Sequence, residues 1–228
     1  MSRQKNYFAP METFHCFTRG VNKQRIFEDD WDYARFMILL LVCNSTEAVH
    51  MGNLLNNYKG RTSLIFEKEV PDKRLVDILA YTLMPNHIHI VLQEIGIGGI
   101  SKFMQKLFTA HAMYFNKKYD HSGTLFESKF KAKLVDNEAY FRWIFSYTHL
   151  NQVALVEPKW EEKGIISDPD TVRKFMNGYR WSSYYDYMVA DRPESAILSM
   201  GKSPDFLREV NDLEEMLSVY TGGNGGKI

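Results

Sequence analysis

A pair of histidines in a strand-like hairpin is the feature that most constrains the fold of this chain. Two strand-like runs, residues 75–82 and 87–93, flank Met84–Asn86, a segment typical of a tight turn. Side chains two apart in a strand point to the same face, so His87 and His89 share one face while the apolar residues between and after them take the other. The pattern predicts an antiparallel strand pair that holds two imidazoles above a hydrophobic core.

Strand and helix signals alternate along the rest of the first 151 residues. The predicted elements are a strand over 12–21, a helix capped by Asp29 or Asp30, the hairpin, a helix over 101–119, a strand over 130–135 and a helix over 137–151. Residues 49–63 are predicted as a loop and Ser63–Phe66 as a strand. The resulting order, β-α-β-β-α-β-α, predicts an α+β ferredoxin-like sandwich in which helices pack on one face of an antiparallel sheet.

A change of composition after Glu157 divides the chain into two predicted parts, residues 1–156 and a C-terminal extension over 157–228. The extension is acidic and rich in turn residues, and we expect it to pack on the core. Its last predicted element is an amphipathic helix whose apolar side is formed by Phe206, Leu207, Val210, Leu213, Leu217 and Tyr220. We expect the Gly-rich end to be disordered.

Composition and charge exclude several classes of protein. The net charge is zero, which argues against indiscriminate coating of nucleic acid, yet residues 101–133 hold seven lysines against two acidic side chains. That excess indicates either a local patch for a polyanion or a solvated helix face. Two cysteines are too few for a disulfide framework, and no apolar run approaches the roughly 20 residues of a membrane span. With no signal-like N-terminus, a cytoplasmic protein without membrane contact is expected.

The predicted helix over 137–151 carries a second set of candidate functional residues. Tyr147 and Asn151 are four apart and so lie on the same helix face. A metal held by His87 and His89 needs a third ligand, which the amide oxygen of Asn151 could supply, and Tyr147 would then lie beside a bound phosphodiester as a nucleophile. On spacing alone, a core tyrosine and a helix-capping asparagine are the more ordinary interpretations.

These motifs resemble those of the single-tyrosine HUH transposases, in particular their REP-associated tyrosine transposase branch. The resemblance rests on Met84–Leu92 followed by Tyr147–Asn151. It extends from about residue 8 to 187 through the further segments Thr18–Asn22, Gly123–Phe126, Phe130–Ala132 and Tyr179–Tyr184. One departure is Gln152, because relatives have a proline there that helps to end the helix.

The resemblance implies a specific activity. It makes residues 1–156 the catalytic domain, with His87 and His89 as ligands of Mg²⁺ or Mn²⁺, Asn151 at the position of the third ligand and Tyr147 as the nucleophile. It implies a homodimer that cleaves and rejoins single-stranded DNA near hairpins through a 5′-phosphotyrosine, without a nucleotide cofactor. The alternative is a domesticated protein that binds a DNA sequence or hairpin without cutting it.

DNA contacts are expected from the basic segments. The candidates for phosphate contacts are Arg19, Lys102, Lys106, Lys129 and Lys131, and Phe126 is a candidate for stacking on unpaired bases.

Two other enzyme classes also use a pair of alternating histidines. A nucleotidyl hydrolase with three alternating histidines is excluded because Val91 stands where the third would be needed. A zinc hydrolase that uses the histidine pair with an acidic ligand such as Glu94 remains an alternative.

Overall fold

The structure, a computed structural model, describes residues 8–204 and 213–222 and is built around a four-stranded antiparallel sheet. Its strands are β1 (Thr13–Arg19), β2 (Val76–Met84), β3 (His87–Glu94) and β4 (Lys131–Val135), in the spatial order β2-β3-β1-β4. The hairpin β2–β3 turns at Pro85–Asn86 as predicted. β1 pairs with β3 on one side and β4 on the other, so the first strand lies inside the sheet.

Two long helices connect the strands and cover one face of the sheet. They are α1 (Asp30–Val42) and α4 (Gly99–Lys118). α1 begins at Asp29, whose side chain accepts from the backbone N–H of Asp32 at 3.0 Å in a capping box. Apolar residues of both helices share a core with Ile88 and Ile90 of β3. Strand order and crossover helices confirm the predicted ferredoxin-like α+β fold.

The expectation of helices on one face needs a correction for the helix that follows β4. This helix, α5 (Glu138–Leu150), shares a second core with Leu79 and Val91, on the opposite side of the sheet from Ile90. The physical reason is that this second face also carries apolar residues, Leu79, Ala80 and Val91, which need cover. α5 is capped by Asn137, which accepts from the Tyr140 N–H at 2.8 Å, close to the predicted start.

The chain after residue 157 contributes to this second core. Its helices are α6 (Trp160–Lys163), α7 (Pro169–Gly178), α8 (Tyr184–Met188) and α9 (Leu213–Gly222). Trp160, Met176 and Leu213 are buried in the same core as α5, and residues 181–183 hydrogen-bond along the outer edge of β2. The division at residue 156 stays a prediction, because residues on both sides of it share one core. Phe206, Leu207, Val210 and the Gly-rich end lie outside the described residues.

Two short helices replace the predicted loop and strand before β2. They are α2 (Met51–Asn57) and α3 (Thr62–Lys68), so the prediction of a strand at Ser63–Phe66 was wrong. Ile65 and Phe66 are buried in the first core, where α3 contacts the turn at Pro193–Ile197. A short apolar run does not distinguish strand from helix, and here tertiary packing decided. In neither described stretch is there a helix with the length and apolar character to cross a membrane.

Candidate active site

The residues predicted to carry the chemistry meet in one cavity, between α5 and the end of the sheet where the β2–β3 hairpin turns. The cavity has a volume of about 410 Å³, and its walls include His87, His89, Tyr147 and Asn151. Because α5 lies on the face of β3 that carries the two histidines, the helix brings its tyrosine and asparagine over them. Sequence spacing had placed each pair on one face; the packing of α5 brings the two pairs together.

Both ring nitrogens of His87 lie within hydrogen-bonding distance of an amide oxygen. Its Nε2 lies 2.9 Å from Oδ1 of Asn151, and its Nδ1 lies 2.7 Å from Oδ1 of Asn86 in the turn. Burial lowers the pKa of His87 to about 4; the Asn151 contact raises it and Arg19 lowers it further. His87 is therefore a neutral imidazole at neutral pH, the form that binds metals.

His89 lies deeper and is held by a third histidine. Its Nδ1 is 2.8 Å from Nε2 of His15, which β1 places on the same face of the sheet. Burial lowers the pKa of both imidazoles, to about 3 for His15, and positive neighbours add to the effect. The ring of His89 meets that of Tyr147 edge-on, with centroids 5.3 Å apart.

Tyr147 stands in an aromatic stack on the cavity wall. Its ring is parallel to that of Trp143, with centroids 5.1 Å apart, and Tyr220 of α9 lies 6.1 Å away. Burial raises the pKa of Tyr147 well above its usual value, and Glu161 and Tyr220 add to this, whereas Arg19 and the Asn151 side chain lower it. At neutral pH the group is a phenol, so any nucleophilic step begins with loss of its proton.

The donor set fits a hard or borderline divalent cation. Two neutral imidazoles and one amide oxygen suit Mn²⁺ at least as well as Mg²⁺. Adjacent ligands of an octahedral ion with bonds of about 2.1 Å lie about 3 Å apart. The 2.9 Å between His87 Nε2 and Asn151 Oδ1 matches that spacing. Across 8–204 and 213–222, no three His, Cys, Asp or Glu side chains converge as a metal site, and the side chain that lies beside His87 in the cavity is the amide of Asn151.

The predicted DNA-contacting residues fall into two groups. Arg19 and Lys131 line the cavity, and Lys129 is exposed just before β4. Lys102 and Lys106 lie on α4, across the sheet from the cavity, where their Nζ atoms contact the backbone oxygens of residues 45–47. These two lysines therefore lie outside the candidate site, because α4 packs on the other face of the sheet.

Phe126 is placed differently from the sequence expectation. It is half-buried against the first core, where its ring centroid lies 4.7 Å from that of Phe108. A ring packed in this way has at most one edge left for a base.

Three residues near the site were not assigned a role from the sequence: His15, Asn86 and Glu161. Glu161 of α6 reaches the cavity from the C-terminal part of the chain, and burial raises the pKa of its carboxyl. A signal for His15 existed, because alternation on β1 places it on the same face as Arg19. Placing His15 beside His89 also requires the strand register in which His15 pairs with Val91, and the sequence does not reveal that register.

A family comparison covers the segment that contains these motifs. Residues 68–151 match the family model described as "Transposase IS200 like". Both histidines, the tyrosine and the asparagine lie within the match. This segment, 84 of the 228 residues, is similar to the IS200-like transposases.

Solved structures and curated proteins add little to this assignment. The chain is similar to a REP-associated tyrosine transposase bound to a REP hairpin, with 12% identity, a TM-score of 0.45, and coverage of 82% of this chain and 85% of that one. It is also similar to tRNA(His) guanylyltransferase from Saccharomyces cerevisiae, with 10% identity, a TM-score of 0.36, and coverage of 90% and 86%. No curated protein matches the sequence.

The structure rules out Glu94 as the acidic ligand of the zinc-hydrolase alternative. This residue is fully buried and points to the face opposite the histidine pair. Its carboxylate accepts the backbone N–H groups of Gly99 and Ile100 at 2.6 and 3.1 Å. Glu94 therefore stabilises the N-terminus of α4, where an anion is favoured.

Gln152 does not displace Asn151 from the site, despite the missing proline. The backbone continues from α5 into a 3-10 turn over Asn151–Leu155. Asn151 still reaches His87 from the first position of that turn.

Proposed function

We propose that this protein cleaves and rejoins single-stranded DNA near hairpins through a 5′-phosphotyrosine intermediate on Tyr147. The observation that carries the proposal is the single cavity in which the phenol of Tyr147 faces the His87, His89 and Asn151 side chains. A tyrosine in the core or an asparagine acting only as a cap would not explain why these four side chains converge. The IS200-like segment supplies the substrate class.

The metal site in this proposal consists of His87, His89 and Asn151. Mg²⁺ or Mn²⁺ bound there supplies charge stabilisation for the phosphoryl oxygens and helps to orient the reacting phosphate. Two imidazoles and one amide leave coordination positions open, so the ion and the substrate can share the cavity.

The chemical step exchanges one ester bond for another. Tyr147 loses its phenolic proton, its oxygen attacks the scissile phosphorus, and the bond from phosphorus to the 3′ oxygen breaks. The leaving oxygen takes up a proton and becomes a 3′-hydroxyl, while the phosphate stays joined to the tyrosine and the 5′ end. Because the ester energy is retained, a second 3′-hydroxyl can attack and rejoin strands without a nucleotide cofactor.

DNA reaches the cavity past positive side chains. Arg19 and Lys131 lie on its wall, where they can contact the phosphates on either side of the scissile bond. We propose a hairpin-bearing single strand as the partner and a homodimer as the working unit, both from the resemblance of the motifs. Light scattering of the purified protein tests the dimer.

The deciding experiment is incubation of labelled hairpin DNA carrying a single-stranded flank with Mn²⁺ and the protein. Wild type is expected to form a covalent adduct and release a 3′-hydroxyl fragment, and Tyr147→Phe is expected to form neither. Tyr140→Phe is a matched control, since it removes another phenol from the same aromatic stack without touching the cavity.

The other outcomes separate the alternatives. An identical adduct on Tyr147→Phe would show that another residue is the nucleophile. If wild type binds the hairpins but cuts none of them with Mn²⁺ or Mg²⁺, the protein is a DNA-binding protein without cleavage activity.

A further inference from the structure

We propose that Asn86 is a positioning residue that fixes the tautomer and orientation of His87, so that the Nε2 lone pair faces the cavity. The inference deepens the proposed function and rests on it for the purpose of that lone pair. Asn86 has no contact with the reacting atoms; it acts through His87.

Hydrogen-bond chemistry determines which way the Asn86 amide faces. Its Nδ2 lies 3.2 Å from the backbone oxygen of Lys23, and because a carbonyl oxygen only accepts, the nitrogen must be on that side. Oδ1 then faces Nδ1 of His87 at 2.7 Å. An amide oxygen also only accepts, so Nδ1 of His87 carries the proton and Nε2 carries the lone pair.

The loop that contains Lys23 has a constrained backbone. Asn22 and Lys23 both have left-handed backbone conformations, with φ of 52° and 61°, which non-glycine residues adopt at a cost. The backbone N–H of Gly20 donates to the Asn86 oxygen at 2.9 Å, and a Cβ on Gly20 would lie 2.3 Å from the Gln24 oxygen. The loop therefore holds Asn86 by both its backbone and its side chain.

This tautomer determines the nature of the contact between His87 and Asn151. Nε2 of His87 and Oδ1 of Asn151 face each other at 2.9 Å, and both atoms then present lone pairs. Two acceptors at this distance repel unless they share a cation or the Asn151 amide turns to donate. Asn86 thus prepares the site for a cation before any cation is bound. A fixed tautomer of this kind is the usual contribution of an outer hydrogen-bond partner to a metal ligand.

The first test reads the tautomer in metal-free protein. Nitrogen-15 spectra of the histidine side chains, with the His87 signals assigned by their loss in His87→Gln, are expected to show protonated Nδ1 and unprotonated Nε2. In Asn86→Ala the proton is expected to redistribute to Nε2, whereas Asn86→Asp retains an acceptor and keeps the wild-type tautomer. Gln93→Ala is the matched control, because it removes one side-chain bond from the far end of β3, at 3.1 Å to the Met11 oxygen.

The second test measures Mn²⁺ affinity by calorimetry without DNA. We expect Asn86→Ala to weaken binding roughly 10- to 100-fold, as loss of an outer partner does elsewhere, and Asn86→Asp and Gln93→Ala to stay within a few-fold of wild type. A protonated Nε2 in wild type, or an Asn86→Ala protein with unchanged tautomer and affinity, overturns the proposal. If wild type shows the expected tautomer but binds no Mn²⁺, the metal site of the proposed function fails while the role of Asn86 stands.

Discussion

His15 Nε2 lies 2.8 Å from His89 Nδ1 and joins two neighbouring strands at the floor of the cavity. The two rings are stacked, with centroids 5.0 Å apart and planes 11° apart, and His15 is completely buried. This bond uses one nitrogen of His89 and leaves Nε2 as its remaining ring nitrogen. A residue 74 positions earlier in the chain thereby orients a predicted metal ligand.

Loss of the His15 partner should weaken the metal site. His15→Phe keeps an aromatic ring but leaves Nδ1 of His89 buried without a partner, so we expect Mn²⁺ affinity to fall roughly 10- to 100-fold. His15→Gln retains a polar atom near the position of Nε2 and should bind within a few-fold of wild type. Calorimetry on both variants, after circular dichroism has shown that each is folded, checks this. Equal affinities for all three proteins would show that His15 only fills space.

The amide oxygen of Asn151 should be the third ligand. Asn151→Leu removes that oxygen while filling the site, and we expect at least a tenfold loss of Mn²⁺ affinity and of adduct formation on hairpin DNA. Asn151→Asp restores an oxygen and should recover binding. Titration of Mn²⁺ in the absence of DNA separates this effect from any on the substrate, and an unchanged affinity in Asn151→Leu would remove the residue from the metal site.

Gln152 should tolerate an apolar replacement. Its side chain is completely buried, and among the described residues neither of its polar atoms has a hydrogen-bond partner. An unpaired buried amide is costly, so Gln152→Met is expected to leave stability unchanged or raise it by about 1 kcal/mol. Urea unfolding provides the measurement. A loss of more than about 2 kcal/mol would indicate that the amide is satisfied by a group such as a buried water.

Asp32 should make stability depend on acid pH. Its buried carboxylate accepts hydrogen bonds from Lys118 Nζ, the Glu28 N–H and the hydroxyls of Tyr114 and Tyr119, all between 2.7 and 2.8 Å. Burial raises the pKa of Asp32, but these bonds outweigh it and hold the pKa well below the usual value. The stabilisation is therefore complete above the unfolded pKa of about 4 and is lost as the pH falls below it.

The measurement is urea unfolding of wild type and Asp32→Asn at several pH values. We expect the variant to be about 3–5 kcal/mol less stable at pH 7, since it leaves Lys118 without its buried partner. The difference should shrink as the pH falls from 4 towards 2. Asp30→Asn, in the same first turn of α1 but exposed, is the control and should cost little at any pH. A constant difference across this range would contradict the assignment.

The sequence alone determined the features that depend on local geometry. Alternation places His87 and His89 on one strand face, and helical spacing places Tyr147 and Asn151 on one helix face. Capping by Asp29 and Asn137 was also predictable, because the side chain that caps a helix bonds within three residues of itself. The order of these elements was enough to predict the ferredoxin-like sheet.

Tertiary structure decided what depends on register and on the side of the sheet. His15 meets His89 only because β1 pairs with β3 in one register, and Lys102 is far from the cavity because α4 covers the other face. α5 covers the histidine face since that face of the sheet is apolar beyond the site, at Val91. Strand pairing and layer packing join residues far apart in the chain, and their free energy depends on surfaces that no local pattern contains.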